Sequence, residues 1–508
     1  MKPAPFADEL QRVIDHGPQL DIEDATDVAA GLPVGTWRAK LDNKDAKPNA
    51  AEQPKASKGE ARTRKPLGSN DIVTEDSAAL QFTALYEGKL LFCHNTGAWF
   101  EWDGAIWRPS RTGTAFQRAR ELARALSANE PAKARYIINK TTFAAGVERF
   151  ARSDPAFAVT MGDWDADPWL LGTPDGTVDL RTGRLRTADP VERITKATAV
   201  APSDHPDCPR WLAFLDETTG GDAELIRFLQ QWCGYALTGV TREHALVFVH
   251  GPGGNGKSVF LNALTGILKD YATAAAMDTF TSSHFDKHPT DLALLCGARL
   301  VTASETEEGR AWAEARIKQM TGGDPVQARF MRQDFFAYVP QFKLTIVGNH
   351  QPVLRNVDEA ARRRFNIVPF TRKPAQPDPE LEEKLRAEWP GILRWMIEGC
   401  LDWQQNGLVR PTTVTAATAD YFSEQDLFTR WLEDACDVEP DNEYKKATTT
   451  ELFASWSAYA RDAGDEPGTV KSFAPAMRLR GFKPYRTMAA RGWLGIQLKT
   501  QLRYGDDG

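Results

Sequence analysis

At 508 residues, with 42% hydrophobic and 26% charged side chains, the chain sits in the globular range and has room for roughly three or four domains. No stretch reaches the roughly 18 consecutive apolar residues of a membrane span, and MKPAPFADEL lacks a charged segment followed by an apolar run, so no secretory signal is read and a cytoplasmic location is expected. The net charge of −7 excludes a broadly basic nucleic-acid-coating protein, so any DNA contact has to be local.

Residues 1–75 are expected to be a short amino-terminal segment and a linker. A short helix is predicted around DELQRVIDH, and residues 41–70, rich in Lys, Ala, Pro and Glu with almost no large apolar side chain, are predicted to be disordered because they cannot offset ordering entropy. Residues 76–240 are predicted to form a mixed α+β domain. Trp99, Trp102 and Trp107 lie in runs bounded by turn signals at Asn95-Thr96-Gly97 and Asp103-Gly104, which points to a hairpin or meander whose tryptophans either build a small core, the commoner case, or stack on bases. A second such stretch, DADPWLLGTPDGTVDLRTGRLR, turns at Pro174-Asp175-Gly176 and Arg181-Thr182-Gly183, and the following ELIRFLQQWCGYALTG has the apolar spacing of a helix packed on the next domain. Six singly spaced cysteines without a CxxC pair are expected to be reduced and mostly buried.

Between 241 and 372 strands alternate with helices, which predicts an α/β domain with a largely parallel sheet. There HALVFVHGPGGNGKSVFLNALTGIL places GxxxxGK[ST] between an apolar strand and an amphipathic helix, the context in which small residues turn backbone N–H groups onto phosphates at a helix amino terminus. Gly251, Pro252, Gly253, Gly254, Asn255, Gly256, Lys257, Ser258 and Val259 are the predicted nucleotide-binding residues. Lys257 is assigned to the β and γ phosphates and Ser258 to Mg²⁺.

In GARLVTASETEEG, Glu305 follows a predicted strand at its carboxyl end and is the candidate for hydrolysis and for Mg²⁺, ahead of Glu307 and Glu308. FKLTIVGNHQP ends a further strand at Asn349, a candidate for orienting water or sensing the γ-phosphate. DEAARRRFNIVPF offers Arg363 and Arg364 as arginines for a neighbouring subunit's phosphates. Between these motifs, EARIKQMTGGDPVQARFMRQDFFAYVPQ carries Lys318, Arg329 and Arg332 through a turn and a predicted hairpin, a pattern suited to gripping DNA phosphates without reading sequence. A helical segment is predicted for 373–440. A winged-helix-like module is predicted for 441–508, where FAPAMRLRGFKPYRTMAARG is basic.

In order and content, GPGGNGKS, ASETEEG, IKQMTGGDPVQARFM, FKLTIVGNHQP and DEAARRRF resemble the consecutive motifs of superfamily 3 helicases, specifically the phage and plasmid primase-helicases similar to the poxvirus type. WFEWDGAIW, DPWLLGTPDGTVDLRTG and FLQQWCGYALTG look like that family's flanking amino-terminal domain. The resemblance implies an AAA+-like P-loop domain, a hexameric ring, ATP and Mg²⁺ as cofactors, and unwinding of single-stranded or forked DNA with 3′ to 5′ polarity. Ser304 departs from the Asp that many P-loop ATPases carry, which leaves the split between metal binding and base open. The first 75 residues are too few for the family's primase or polymerase domain, so primer synthesis is expected of a separate protein. Two other readings fit the same residues: an AAA+ replication initiator or loader, and a nucleotide-regulated DNA-binding protein.

Overall fold

The computed structural model describes residues 72–282, 290–304, 311–330, 334–352, 354, 359–374, 376–440, 442–463, 467–487 and 490–499. The chain divides at Ile72, and the architecture below belongs to the unit that begins at Val73. The helix predicted near residue 10 and the linker of 41–70 lie outside the described residues.

Thr74 and Ser77 close a capping box that starts helix α1 (Glu75–Tyr86). Strands β1 (Leu90–Cys93), β2 (Ala98–Trp102) and β3 (Trp107–Pro109) follow as an antiparallel meander, and after helices α2 (Thr114–Ser127), α3 (Ala132–Ile138) and α4 (Thr141–Arg152), strand β4 (Ala158–Val159) joins β1 in parallel. The tryptophans of this stretch are structural. Trp107 is 1% exposed, and the buried Trp99 indole donates to Glu148 Oε1 at 2.7 Å, a carboxylate that also takes Arg152 at 2.8 Å. A second meander, β5 (Leu170–Thr173), β6 (Gly176–Asp179) and β7 (Arg184–Arg186), turns where the Pro-Asp-Gly and Arg-Thr-Gly signals stand.

Helices α5 (Pro209–Thr219) and α6 (Ala223–Ala236) lead into the central sheet. Its elements are β8 (Leu246–His250), α7 (Lys257–Leu268), β9 (Ala272–Ala274), the short α8 (Thr290–Ala293), β10 (Leu300–Ser304), α9 (Glu314–Gly322), the hairpin β11 (Val326–Ala328) and β12 (Phe336–Tyr338), β13 (Lys343–Gly348), α10 (Glu359–Arg362) and β14 (Phe365–Pro369). The five long-range strands lie in the order β14-β8-β13-β10-β9, every pair parallel. Side chains alternate between two cores as a pleated sheet covered on both faces requires. Val247 and Val249 point into the core shared with α5, α6 and α7, while Leu246, Phe248, Leu344 and Ile346 point into the one shared with α9.

Helices α11 (Leu381–Arg386), α12 (Trp389–Asn406) and α13 (Thr412–Gln425) return over this sheet. At the crossing of α6 and α12 a Cβ on Gly234 would stand 2.1 Å from Cys400 N, and one on Gly399 would stand 2.1 Å from Gln230 O, so the two backbones touch where only glycine fits.

The last elements are α14 (Leu427–Ala435), β15 (Cys436–Val438), β16 (Lys446–Thr448), α15 (Thr449–Asp462), α16 (Val470–Leu479), β17 (Lys483–Arg486), β18 (Arg491–Leu494) and β19 (Ile496–Leu498). β16, β18 and β17 form an antiparallel sheet in that order, β15 pairs with β19, and Phe428 and Trp431 of α14 share the core built by Trp456, Phe473 and Trp493. Among the described residues, no helix is long and apolar enough to cross a membrane, and five of the six unpaired cysteines are buried.

Two buried cations fasten the upstream segments to the sheet. Arg299, which precedes β10, is 3% exposed and donates to Leu237 O at 2.6 Å and Leu170 O at 2.7 Å, with its guanidinium 4.5 Å from the Tyr271 ring. Lys343, which opens β13 and pairs with Leu300, donates to Val240 O at 3.2 Å, Gln341 O at 3.1 Å and Thr238 O, and lies 4.7 Å from the Tyr235 ring. Burial, together with the neighbouring Arg299 charge, pushes its ammonium well below the usual lysine range. Carbonyls from β5 and from the loop after α6 thus find their donors on the sheet rather than in water. Replacing Arg299 by Leu strands two buried acceptors and is expected to cost about 2–4 kcal/mol in urea unfolding. An exposed change of the same kind, Arg210→Leu, is expected to stay within about 0.5 kcal/mol.

Candidate nucleotide site

The loop of 251–256 leaves the carboxyl end of β8 and enters α7 directly, with Gly256 in the left-handed region at φ 85° as the residue before the helix. Gly251 has φ 156°, and a Cβ there would stand 1.9 Å from Phe370 O. Asn255, 1% exposed, donates from Nδ2 to that same carbonyl, while Phe370 N donates to His250 O at 2.7 Å. The loop is therefore laced to the end of β14 before any ligand enters it.

Lys257 curls back into this frame. Its ammonium, 7% exposed, donates to Gly251 O at 2.5 Å, Pro252 O at 2.9 Å and Asn255 Oδ1 at 2.9 Å, and burial holds its pKa below the usual lysine value. Pro252, Gly253, Gly254 and Ser258 are exposed, and Val259 is half-buried. A glycine-rich loop with a buried cation inside it at the amino end of a helix has the chemistry to receive phosphate oxygens. Ser258 adds one exposed hydroxyl at the first turn of α7, which suits Mg²⁺ bound mainly by phosphate and water. Among the described residues no group of three or more His, Cys, Asp or Glu side chains could hold a metal by itself.

Strand register decides what else stands at this edge. β13 runs parallel to β8 with Gly348 opposite His250, so Asn349, exposed and next in sequence, emerges beside the start of the loop. β10 pairs with β13 so that Ser304 lies opposite Val347, which brings the carboxyl end of that strand to the same side. Glu305, Glu307 and Glu308 lie outside the described residues. His250 was not singled out by sequence. Burial lowers its imidazole pKa, as do the nearby Lys257 and His350 charges, against a hydrogen bond with the Asn349 backbone that raises it. Its place as the last strand residue before the loop was the available signal.

The arginines are elsewhere. β14 runs parallel to β8 with Phe365 opposite Leu246 and Pro369 opposite His250. Arg363 and Arg364 precede Phe365 and so lie at the amino edge, about 16 Å from the loop along five residues of strand at roughly 3.3 Å each. Arg363 is exposed, whereas Arg364 is 8% exposed and donates from Nη1 to Ala360 O at 2.8 Å. Arg363 lines a cleft of about 320 Å³ with Arg362 and Arg410, the last held by a 2.6 Å hydrogen bond to Asn366 Oδ1. Arg410 comes from beyond α12, too far along the chain for motif spacing to reveal it.

The predicted hairpin forms, with Val326 opposite Tyr338 and Ala328 opposite Phe336. Arg329 lies 4.6 Å from the ring of Phe335, which is 58% exposed. Lys318 is half-buried on α9, and Arg332 lies outside the described residues.

The family described as "D5 N terminal like" matches residues 79–220, and a "Family of unknown function (DUF5906)" matches 249–364. A protein named "Putative helicase" from Acanthamoeba polyphaga mimivirus is 25% identical over 345 residues, 62% of this chain and 35% of that one. Another of the same name from Frog virus 3 (isolate Goorha) is 27% identical over 269 residues, 48% of this chain and 27% of that one. The chain thus spans about a third or less of the length of these curated relatives. Among solved structures, the apo C-terminal region (305–718) of NrS-1 aligns with a TM-score of 0.46 at 10% identity, covering 83% of this chain and 100% of that one.

The close approach at Gly251 makes a specific expectation. Gly251→Ala should lose affinity for a fluorescent nucleoside triphosphate and lower the melting temperature by an amount equivalent to about 2 kcal/mol, because the loop must leave Phe370. Gly253→Ala, where a Cβ meets nothing within 4 Å, should melt with the wild type.

Proposed function

We propose that the chain is a member of the phage and viral primase-helicase family and the motor of a replicative DNA helicase, an ATPase that assembles as a ring and translocates on single-stranded DNA. The observation that carries this reading is the common carboxyl edge of β8 and β13, where the Lys257 loop and Asn349 emerge side by side, with the arginine group at the opposite edge. The strand order β14-β8-β13-β10-β9, with the phosphate loop on the second strand, supports an AAA+-like assignment for this domain.

In this reading the backbone N–H groups of Gly253 to Ser258 hold the phosphates, and Lys257 exchanges its carbonyl contacts for the β and γ oxygens. Mg²⁺, for which Ser258 and Glu305 are the candidate protein ligands, neutralises charge on those oxygens when bound. Glu305 accepts a proton from the attacking water, and Asn349 orients that water from the neighbouring strand end. Arg363 of one copy serves the phosphates of the next, since its own loop lies across the sheet, and Arg364 positions it by anchoring α10. Lys318, Arg329 and Arg332 grip the DNA backbone as the helix and hairpin shift with nucleotide state. A homo-hexamer completes the proposal.

A second reading is favoured by one observation. The carboxy-terminal order of helix, strand, helix, helix and two-stranded ribbon supports a winged-helix-like module, and Lys471, Arg478, Lys483, Arg486 and Arg491 are exposed on its last helix and ribbon. A nucleotide-regulated DNA-binding protein, or an initiator, would use that surface for duplex DNA.

Steady-state hydrolysis separates the two. The motor reading predicts ATP turnover that rises with single-stranded DNA, and a fall of about 10²-fold or more in Lys257→Ala at temperatures where its melting curve shows it fully folded. Turnover indifferent to single-stranded DNA, together with duplex binding intact in Lys257→Ala, would select the second reading.

A further inference from the structure

The amino-terminal helices carry a charge that the chain as a whole hides. Across residues 114–152 there are eight Lys and Arg against three Glu, a local excess of five positive charges in a chain whose net charge is −7. Two of these cations answer acids of their own helices, Arg118 to Glu121 at 3.3 Å and Arg152 to Glu148 at 2.8 Å, and Arg135 donates to Ala128 O and Glu130 O. Arg120, Arg124 and Lys140 do not. Among the described residues no carboxylate forms an ion pair with any of the three, and all three converge on one cleft of about 570 Å³ between α2 and the junction of α3 with α4.

The cleft is built rather than incidental. Asn139 donates from Nδ2 to Ser127 Oγ at 2.9 Å, which ties the α3–α4 junction to the end of α2, and Ile138 is buried beneath. Arg120 and Arg124 stand one helical turn apart, an axial step of about 6 Å. Lys140 sits 4.6 Å from the ring of Tyr136, which is 70% exposed, and Ile137 beside it is 50% exposed. An aromatic ring left in solvent beside a row of unpaired cations is the combination that binds single strands, with the phosphates along the cations and a base on the ring.

We propose that this cleft is a second single-stranded DNA site, in which Arg120, Arg124 and Lys140 take successive phosphates and Tyr136 stacks a base. It takes from the proposed function only that DNA is the ligand, and it is separate from the hairpin of Arg329. Such a site holds the strand outside the motor domain and without sequence preference.

The test is fluorescence anisotropy of a labelled oligo-dT with the full chain across a salt series. The variants are Arg120→Ala/Arg124→Ala/Lys140→Ala together, Tyr136→Ala, and Tyr136→Phe. Loss of the three cations is expected to weaken binding by roughly tenfold or more at moderate salt and to flatten the slope of log affinity against log salt by about two, at roughly 0.7 per phosphate contact. Tyr136→Ala should weaken binding with the slope unchanged, and Tyr136→Phe should restore it. Wild-type affinity and slope in the triple variant would overturn the proposal, including the case in which the cleft serves an acidic protein instead. Hydrolysis without DNA, measured on the same samples, is expected to stay at the wild-type rate in the triple variant. A failed motor would show as absent hydrolysis in every sample, while the anisotropy still reports on the cleft.

Discussion

Parallel pairing of β8 with both β13 and β14 is the constraint on which the rest of the site depends. Because the three strands run the same way, everything that follows a strand collects at one edge and everything that precedes one collects at the other. The phosphate loop and Asn349 belong to the first group, Arg363 and Arg364 to the second. A five-residue strand is long enough to keep the arginines out of reach of their own loop. The proposed catalytic set would close only where the amino edge of one copy meets the carboxyl edge of another, so the proposed assembly would follow from strand direction.

That sheet is held in a frame supplied by the segments around it. Arg299 and Lys343 draw carbonyls of β5 and of the loop after α6 onto its amino edge, and Gly234 and Gly399 let α6 and α12 meet backbone to backbone over one face. Trp232, buried on α6, donates to Thr345 Oγ1 at 2.9 Å in the middle of β13. The segment from β5 to α6, upstream of the loop of 251–256, is thus structurally continuous with the sheet.

Much of this was legible in the sequence. The loop of 251–256 was readable as the link between an apolar strand and a helix because its glycines interrupt both patterns, and the pairing of Ala328 with Phe336 agrees with the hairpin expected for ARFMRQDFFAYV. The tryptophan runs near residue 100 were readable as core because turn signals bound them. Other features left no local trace. Arg299 and Lys343 look in sequence like solvated punctuation before strands, and only the packing shows that they are buried against carbonyls more than 60 residues away. Arg410 joins Arg363 through the return of the chain past α12, and the basic cleft draws on two helices and a junction while the net charge conceals it. Glu305 and Arg332, both readable as motif residues, lie outside the described residues.

The most direct measurement of the central claim is ATP turnover by mixtures of Lys257→Ala and Arg363→Ala proteins, assembled together on single-stranded DNA, beside each variant assembled alone. If the site is shared, each variant alone is inactive, and the mixture recovers a fraction of the wild-type rate because some junctions pair an intact loop with an intact arginine. A mixture as inactive as its parents, or an Arg363→Ala assembly that turns over like the wild type, would contradict the account.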